Sequence, residues 1–447
     1  MSIIMNAYTL WHTRASYEKH DLQKFQHLQE SLQNNTFKGP LYVDGSQWNE
    51  AREKAAADLF QGLQSNTSVS KLFVHNATLG PSVDVALKKG LAGNTSLRQV
   101  TLRHLKSPTH STTAGDGDNE ITRAFYKIPA SLFSNHQLQS LHLAHVALDH
   151  TAAHAMAKLL VHESTQLSAL YLQDIQVSDA TVWSIIATAI SVNTSLKSLR
   201  IVQQNNKRQL KSLLKAIAAN KSIVDLHLED LELDETDVTL IAPLLVHASI
   251  KDLSLRKNRL TGDALQALMN TIEGSTSGEV TVPRIWLSRN PLGSSPSTSL
   301  LAAIRQLVKQ NALRRVCLCN TQLDAPTCLG VLQALAKSRV CQVGMDGNAL
   351  HECNPDDVSQ AVEASMYLRS IWDNPRMMPG TFSKVDFWLR VNSAPRRILA
   401  EQDHNSDTSG IMPHLYERVA SEPRRTKPDV LFYFLTQSLC KVVGQQS

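Results

Sequence analysis

The sequence predicts an α/β solenoid, with a parallel sheet along one face and helices along the other, and three observations predict it. A strand-like template, L-x-x-L-x-L-x-x-N/C-x-L, recurs ten times along the chain. The starts of successive copies are 28, 41, 29, 29, 27, 27, 32, 31 and 27 residues apart, a period of about 28 with one long spacing. Between the copies lie stretches such as ATVWSIIATAISV and QLKSLLKAIAA, apolar at i, i+3, i+4 and i+7, which is the helical period. Each unit therefore reads as one strand followed by one helix.

The units begin at Val69, Leu97, Leu138, Leu167, Leu196, Ile223, Ile250, Val282, Leu313 and Val340. Side chains alternate across a strand, so the fourth and sixth positions of each unit share a face, and the third, fifth and seventh share the other. The apolar fourth and sixth positions define the core. With helices outside, ten units are expected to curve into an open horseshoe whose sheet lines the concave side.

Composition supports a chain with a large core. Of 447 residues 42% are hydrophobic and 19% charged, and no run of apolar residues reaches the length a membrane span requires. The start, MSIIMNAYTLWHTRASYEKH, has no cationic segment ahead of an apolar one, so no signal peptide is expected. Six cysteines, five of them crowded unevenly between Cys317 and Cys353, do not make a disulfide framework. A reducing, cytoplasmic location is expected, with the nucleus as the alternative.

Asn-Thr-Ser occurs at Asn66, Asn94 and Asn193, matching the glycosylation pattern N-x-S/T. Without a signal peptide that reading loses its premise. Asn stands three residues before the strand template in five units, at Asn66, Asn94, Asn135, Asn193 and Asn220. There it is expected to close the preceding helix in the left-handed conformation that Asn tolerates.

The strand motif, the N-T-S-L helix endings and the period resemble leucine-rich repeats of the ribonuclease-inhibitor type, over about residues 50–375. At the ninth template position, where the motif calls for Asn, only Asn258, Asn290 and Asn348 comply. Ala77, Leu105, Val146, Ile175, Gln204, Leu231 and Thr321 depart from it. The aromatic-rich tail, with VDFWLRVN, PHLYERV and PDVLFYFL, resembles tails that follow leucine-rich repeats in algal families. The expected organisation is a cap over residues 1–50, the solenoid over 51–375 and a helical module over 376–447. The stretch from Ser107 to Glu120, rich in turn formers and free of apolar periodicity, is expected to be a mobile excursion.

The outward positions draw the one candidate binding surface. Its residues are Phe73, His75, Arg103, His142, Tyr171, Arg200, Asp225, His227, Glu229, Asp252, Arg256, Arg284, Trp286 and Arg315. A His- and Arg-rich start leads to an acidic middle at Asp225, Glu229 and Asp252, then to a basic stretch. Exposed Phe73, Tyr171 and Trp286 are the residue types that interface hot spots use. A protein partner is expected on this face.

Other chemistry is weakly drawn. Cys317 and Cys319 share a face without a C-x-x-C pair, and His150 and His154 lack the glutamate of H-E-x-x-H, so no metal is expected. No G-x-x-x-x-G-K-S/T, G-x-G-x-x-G or G-x-S-x-G motif occurs, so neither an enzyme, a cofactor nor a small-molecule substrate is indicated. A net charge of +5, with basic and acidic positions interleaved, argues against nucleic acid. The expected function is a protein-binding scaffold. Two alternatives stand beside it: a GTPase-activating regulator of a small GTPase, which the resemblance implies, and a substrate receptor of a ubiquitin ligase, in which the tail or the first 50 residues would recruit the ligase.

Overall fold

The computed structural model describes residues 27–46, 48–107, 125–204, 207–274, 280–295, 297–310, 312–336, 338–365, 367–372 and 383–393. Most of the Ser107–Glu120 excursion, the residues before 27 and those after 393 lie outside this set. The chain falls into two compact units, Met1–Leu231 and Glu232–Ser447.

In the first unit seven strands pair in chain order, each parallel to the next: β1 (Leu41–Asp44), β2 (Lys71–His75), β3 (Gln99–Arg103), β4 (Ser140–Leu148), β5 (Ala169–Val177), β6 (Ser198–Val202) and β7 (Asp225–Glu229). The register aligns the template positions across every pair. Leu41, Leu72, Val100, Leu141, Leu170, Leu199 and Leu226 form one row, and Val43, Val74, Leu102, Leu143, Leu172, Ile201 and Leu228 another. None of these is more than 2% exposed. Helices α1 (Glu50–Leu63), α2 (Pro81–Gly93), α3 (His150–Val161), α4 (Ala180–Val192) and α5 (Lys207–Ala219) return the chain between strands. Between β3 and β4, around the long insertion, a 3-10 turn at Ala130–Ser134 stands where a helix is expected.

The second unit repeats the plan with shorter strands: β8 (Asp252–Ser254), β9 (Arg284–Trp286), β10 (Arg315–Cys317), β11 (Gln342–Gly344) and β12 (Ser370–Trp372). Its helices are α6 (Val238–Leu245), α7 (Gly262–Glu273), α8 (Ser297–Lys309), α9 (Ala325–Leu335), α10 (Pro355–Ala364) and α11 (Ser383–Ser393). Ten template copies therefore correspond to ten of twelve described strands. The two extra strands, β1 and β12, flank the copies and lack the full leucine pattern.

The left-handed conformation does not occur where the sequence places it. Asn94, Asn135 and Asn193 have φ of −86°, −85° and −67°, ordinary extended values. What buries these asparagines is a bridge between neighbouring units. The Oδ1 of Asn94 accepts from the backbone of Ser96 and Leu97 at 3.0 and 2.8 Å. Its Nδ2 donates to the carbonyls of Leu63 and Asn66, one repeat earlier, at 2.8 and 2.9 Å. Asn66, Asn193 and Asn220 bridge in the same manner. One amide thus satisfies backbone groups that the helix-to-strand corner would leave without partners in the core.

This corner settles how the Asn-Thr-Ser triplets are used in the folded chain. Asn66 and Asn94 are 2% exposed and Asn193 is 4% exposed, with side-chain nitrogens committed to carbonyls. Expressed in its native cell, the protein is expected to run unglycosylated near its 49.5 kDa chain mass. A mobility shift removed by an N-glycosidase would contradict this.

Positive φ falls instead on the eighth template position of all ten units: Asn76, His104, His145, Asp174, Gln203 and Asp230 in the first, Lys257, Arg289, Asn320 and Gly347 in the second. Left-handed backbone costs a non-glycine residue on the order of 1 kcal/mol or more. The offset is visible in the hydrogen bonds. The eighth-position N–H of Asn76, His104, Lys257, Arg289 and Asn320 donates to the neighbouring repeat, at 3.0, 2.9, 2.9, 2.9 and 2.6 Å. The inter-repeat ladder so continues past the strand end. At Gly347 a Cβ would stand 2.2 Å from Asn320 Oδ1, so a larger residue requires the Asn320 amide to move.

The ninth position divides the units by mechanism. In the second unit Asn258, Asn290 and Asn348 are buried, and each Oδ1 accepts a backbone N–H from the preceding repeat. In the first unit that position is mostly apolar, and the asparagine before the strand supplies the inter-repeat bridge. Most departures from the motif are accounted for by this division, Ile175 and Thr321 excepted: the two units use different asparagines for one task.

Candidate functional site

The outward rows of the first unit are built from side chains that hold one another. Phe73 stacks on Tyr42 with ring centroids 4.4 Å apart and meets His75 edge-on at 6.3 Å. Farther along the same row, His142 lies 3.8 Å from the Tyr171 ring, and the Arg200 guanidinium sits 4.9 Å from that ring's centroid. Cation and ring attract at this distance. The aromatics expected to be exposed are therefore half-buried and pinned by neighbours.

Arg200 also donates from Nη2 to Glu229 Oε2 at 3.0 Å. His227 stands between two carboxylates, with Nδ1 2.9 Å from Glu229 and Nε2 3.0 Å from Asp225. The expected acidic middle is corrected here: Asp225 and Glu229 face His227 and Arg200, which neutralise them. Glu229, moreover, is 5% exposed and offers a partner almost nothing. The other thirteen residues predicted for the surface are half-buried, with part of each side chain accessible.

Ionisation follows from this packing. Burial disfavours the charge on His227, but its hydrogen bonds to Asp225 and Glu229, with their charges, outweigh that and raise its pKa to about 9. His142 is driven the other way, down to about 3, by burial and then by Arg103, His75 and Arg200. His75 is lowered by burial and by Arg103. At neutral pH His227 is a cation, while His75 and His142 are neutral.

The raised pKa of His227 has a consequence for stability. Unfolded, the imidazole returns to its ordinary 6.5, below its folded value of about 9. Its stabilisation is then fully present below pH 6.5 and lost as pH rises toward 9. Urea midpoints measured between pH 6.5 and 9 are expected to fall for the wild type and to be flatter for His227→Gln. An equal slope in both would contradict the charged triad.

In the second unit, Asp252 accepts from Trp286 Nε1 at 2.6 Å and pairs with Arg284 Nε at 3.0 Å. The Sγ atoms of Cys317 and Cys319 lie 3.3 Å apart, and Ser288 Oγ is 3.0 Å from Cys317. The hydrogen bond with Cys319 lowers the Cys317 pKa and raises that of Cys319. Among the described residues no group of three or more His, Cys, Asp or Glu is placed to hold a metal ion. His150 pairs with Asp179 at 2.5 Å, on a helix away from these rows.

Nine buried side-chain N or O atoms among the described residues lack a hydrogen-bond partner. Seven of the nine belong to outward template positions: His75 Nε2, Arg103 Nε, His142 Nε2 and Arg200 Nε in the first unit, Arg256 Nε, Gln342 Oε1 and Asp346 Oδ1 in the second. Gln342 and Asp346 were not among the predicted site residues. Their third and seventh positions were the available signal, since alternation alone places both on this face.

The strand register, the parallel pairing in chain order and the asparagine bridges define the class: the chain has a leucine-rich-repeat solenoid fold. Two solved structures are similar to it. The leucine-rich repeat-containing protein LegL7 from Legionella pneumophila shares 16% identity at a TM-score of 0.42, over 59% of this chain and 87% of that one. An internalin from Listeria monocytogenes shares 12% identity at a TM-score of 0.34, over 73% of this chain and 87% of the other. No protein-family model and no curated protein matches the chain. None of the helices among the described residues is long and apolar enough to cross a membrane.

Proposed function

We propose that this protein is a non-catalytic, intracellular scaffold that binds a protein partner through the outward rows of its sheet. The observation that carries the proposal is the concentration of unpartnered buried polar atoms on that face. A buried donor or acceptor that neither a protein group nor water satisfies costs about 1–3 kcal/mol. A partner that supplies the missing hydrogen bonds removes that cost on binding. In the first unit, the guanidinium of Arg103 beside neutral His75 and His142 fits a carboxylate side chain, and the accessible parts of Phe73 and Tyr171 offer apolar contact beside it. In the second, Arg256, Arg284, Trp286 and Arg315 are the contact residues.

The finer reading places the repeats in the ribonuclease-inhibitor type, with a cap over residues 1–50, the solenoid over 51–375 and a C-terminal module over 376–447. Asn392 supports some continuity of the repeats into the last of these. Its Nδ2 donates to Leu368 and Val362 carbonyls at 2.9 and 3.3 Å, as the earlier bridging asparagines do. No residue favours the GTPase-activating or ubiquitin-ligase alternatives.

Affinity capture from the native cell tests the proposal, comparing wild type with Arg103→Gln, Trp286→Ala and the helix-face control Lys89→Gln. A partner retained by Lys89→Gln and depleted at least tenfold by the two sheet variants is the expected result. Equal retention by all three would overturn the assignment of the face.

A further inference from the structure

At the edge of the second unit's sheet, three arginines surround a cavity of about 250 Å³ that none of the residues assigned to the partner lines. Its walls are Arg314, Arg339, Cys341, Tyr367 and Arg369. The arrangement comes directly from the repeat. Arg314, Cys341 and Arg369 each hold the second template position of their unit, and the register of β10, β11 and β12 sets them side by side. Backbone hydrogen bonds lock the row, Cys341 N to Arg314 O at 2.8 Å and Arg369 N to Cys341 O at 2.9 Å. Adjacent strands lie about 4.8 Å apart, so the backbones of Arg314 and Arg369, on either side of Cys341, stand at roughly twice that spacing from each other. Arg339, at the turn before β11, and Tyr367, before β12, complete the wall.

The charge of this cavity is one-sided. Among the described residues no carboxylate lines it, and Arg339 and Arg369 form no ion pair. The like charges of Arg339 and Arg369 repel one another, and an anion placed between them relieves that repulsion. Guanidinium groups bind phosphate through paired N–H···O hydrogen bonds. Cys341 lies between Arg314 and Arg369 in this row, its Sγ 3.3 Å from the Arg314 carbonyl oxygen. The volume sits below the roughly 300–1,000 Å³ of pockets for drug-sized ligands. It suits a phosphate with one small ring attached.

We propose that this cavity is a binding site for a small phosphomonoester, a phosphate dianion carried by a group of sugar or phenyl size. It is independent of the protein-binding face and stands or falls separately from it.

Calorimetric titration of the full chain with phenyl phosphate, and separately with inorganic phosphate and glucose 6-phosphate, tests the site at low salt. One saturable site per chain is expected, with affinity reduced at least tenfold in Arg339→Gln and in Arg369→Gln. Arg98→Gln is the control, since Arg98 holds the same second position in the first unit without arginine neighbours. Its affinity is expected to be that of the wild type. Tighter binding of phenyl phosphate or glucose 6-phosphate than of inorganic phosphate identifies an ester as the ligand; the reverse order overturns the ester assignment. Absence of saturation at 10 mM for all three probes, or an equal loss in Arg98→Gln, overturns the site. If a single-stranded RNA oligonucleotide binds more tightly than any of them and loses affinity equally in Arg284→Gln and Arg369→Gln, the surface is a nucleic-acid interface and the small-phosphate reading falls.

Discussion

Leu228→Ala is expected to lower the free energy of unfolding by about 2–5 kcal/mol, as large-to-small changes at fully buried leucines do. Leu228 is 0% exposed and stands at the sixth template position of β7, in register with Ile201. Removing its branched end leaves a void in a row of apolar side chains that runs through every strand of the first unit. Chemical denaturation followed by circular dichroism measures the change. A loss below about 1 kcal/mol would mean that the row relaxes into the space, which close packing does not permit.

A loss of about 3–5 kcal/mol is expected for Asn220→Ala, a change that creates only a small void. Asn220 is 0% exposed, and its amide makes four contacts with backbone. It donates to Ile190 and Asn193 carbonyls at 2.7 Å each and accepts from Ser222 and Ile223 at 2.7 and 3.0 Å. Each buried backbone group left without a partner costs about 1–3 kcal/mol, and alanine abandons several at once. Asn220→Asp separates the donor role from the acceptor role. It keeps the acceptors, loses both donors and buries a charge, so it too is expected to destabilise. If Asn220→Ala melts with the wild type, the inter-repeat bridge contributes nothing and the corner is held by other means.

The repeat was legible because burial imposes a strict period. Leucines at the fourth and sixth positions, Leu226 and Leu228 among them, are where alternation puts them, and the outward rows follow from the same rule. What escaped is what period alone does not encode. Strand β1, LYVD, and strand β12, SIW, pair only at the flanks of the template copies and carry too few of its positions to match. The left-handed eighth position is filled by His, Asp, Gln, Lys and Arg as readily as by Asn or Gly. No composition signal marks it, because the strain is offset by a hydrogen bond to the next repeat rather than by residue choice. The asparagines before the strands were seen as turn formers, but their second role needs the preceding repeat in space.

The chemistry of the face was half legible. Asp225, His227 and Glu229 occupy the third, fifth and seventh positions of one strand, so their common face was readable. Neutralisation was not, because it depends on Arg200 reaching Glu229 from the adjacent strand. Trp286 likewise proved to be anchored, with Nε1 on Asp252. Its replacement removes a hydrogen bond as well as a contact, so Trp286→Ala is expected to cost some stability and is the weaker probe of the surface. Arg103, half-buried and without an ion pair among the described residues, is the better one.

Affinity of the captured partner for purified Arg103→Gln, measured beside the thermal melt of the same sample, bears most directly on the sheet face as the binding surface. A melt within 1 °C of wild type, with binding weakened at least tenfold, is expected; for a chain of 447 residues 1 °C corresponds to about 1 kcal/mol. Unchanged affinity in a chain that melts like the wild type would show that the partner binds elsewhere.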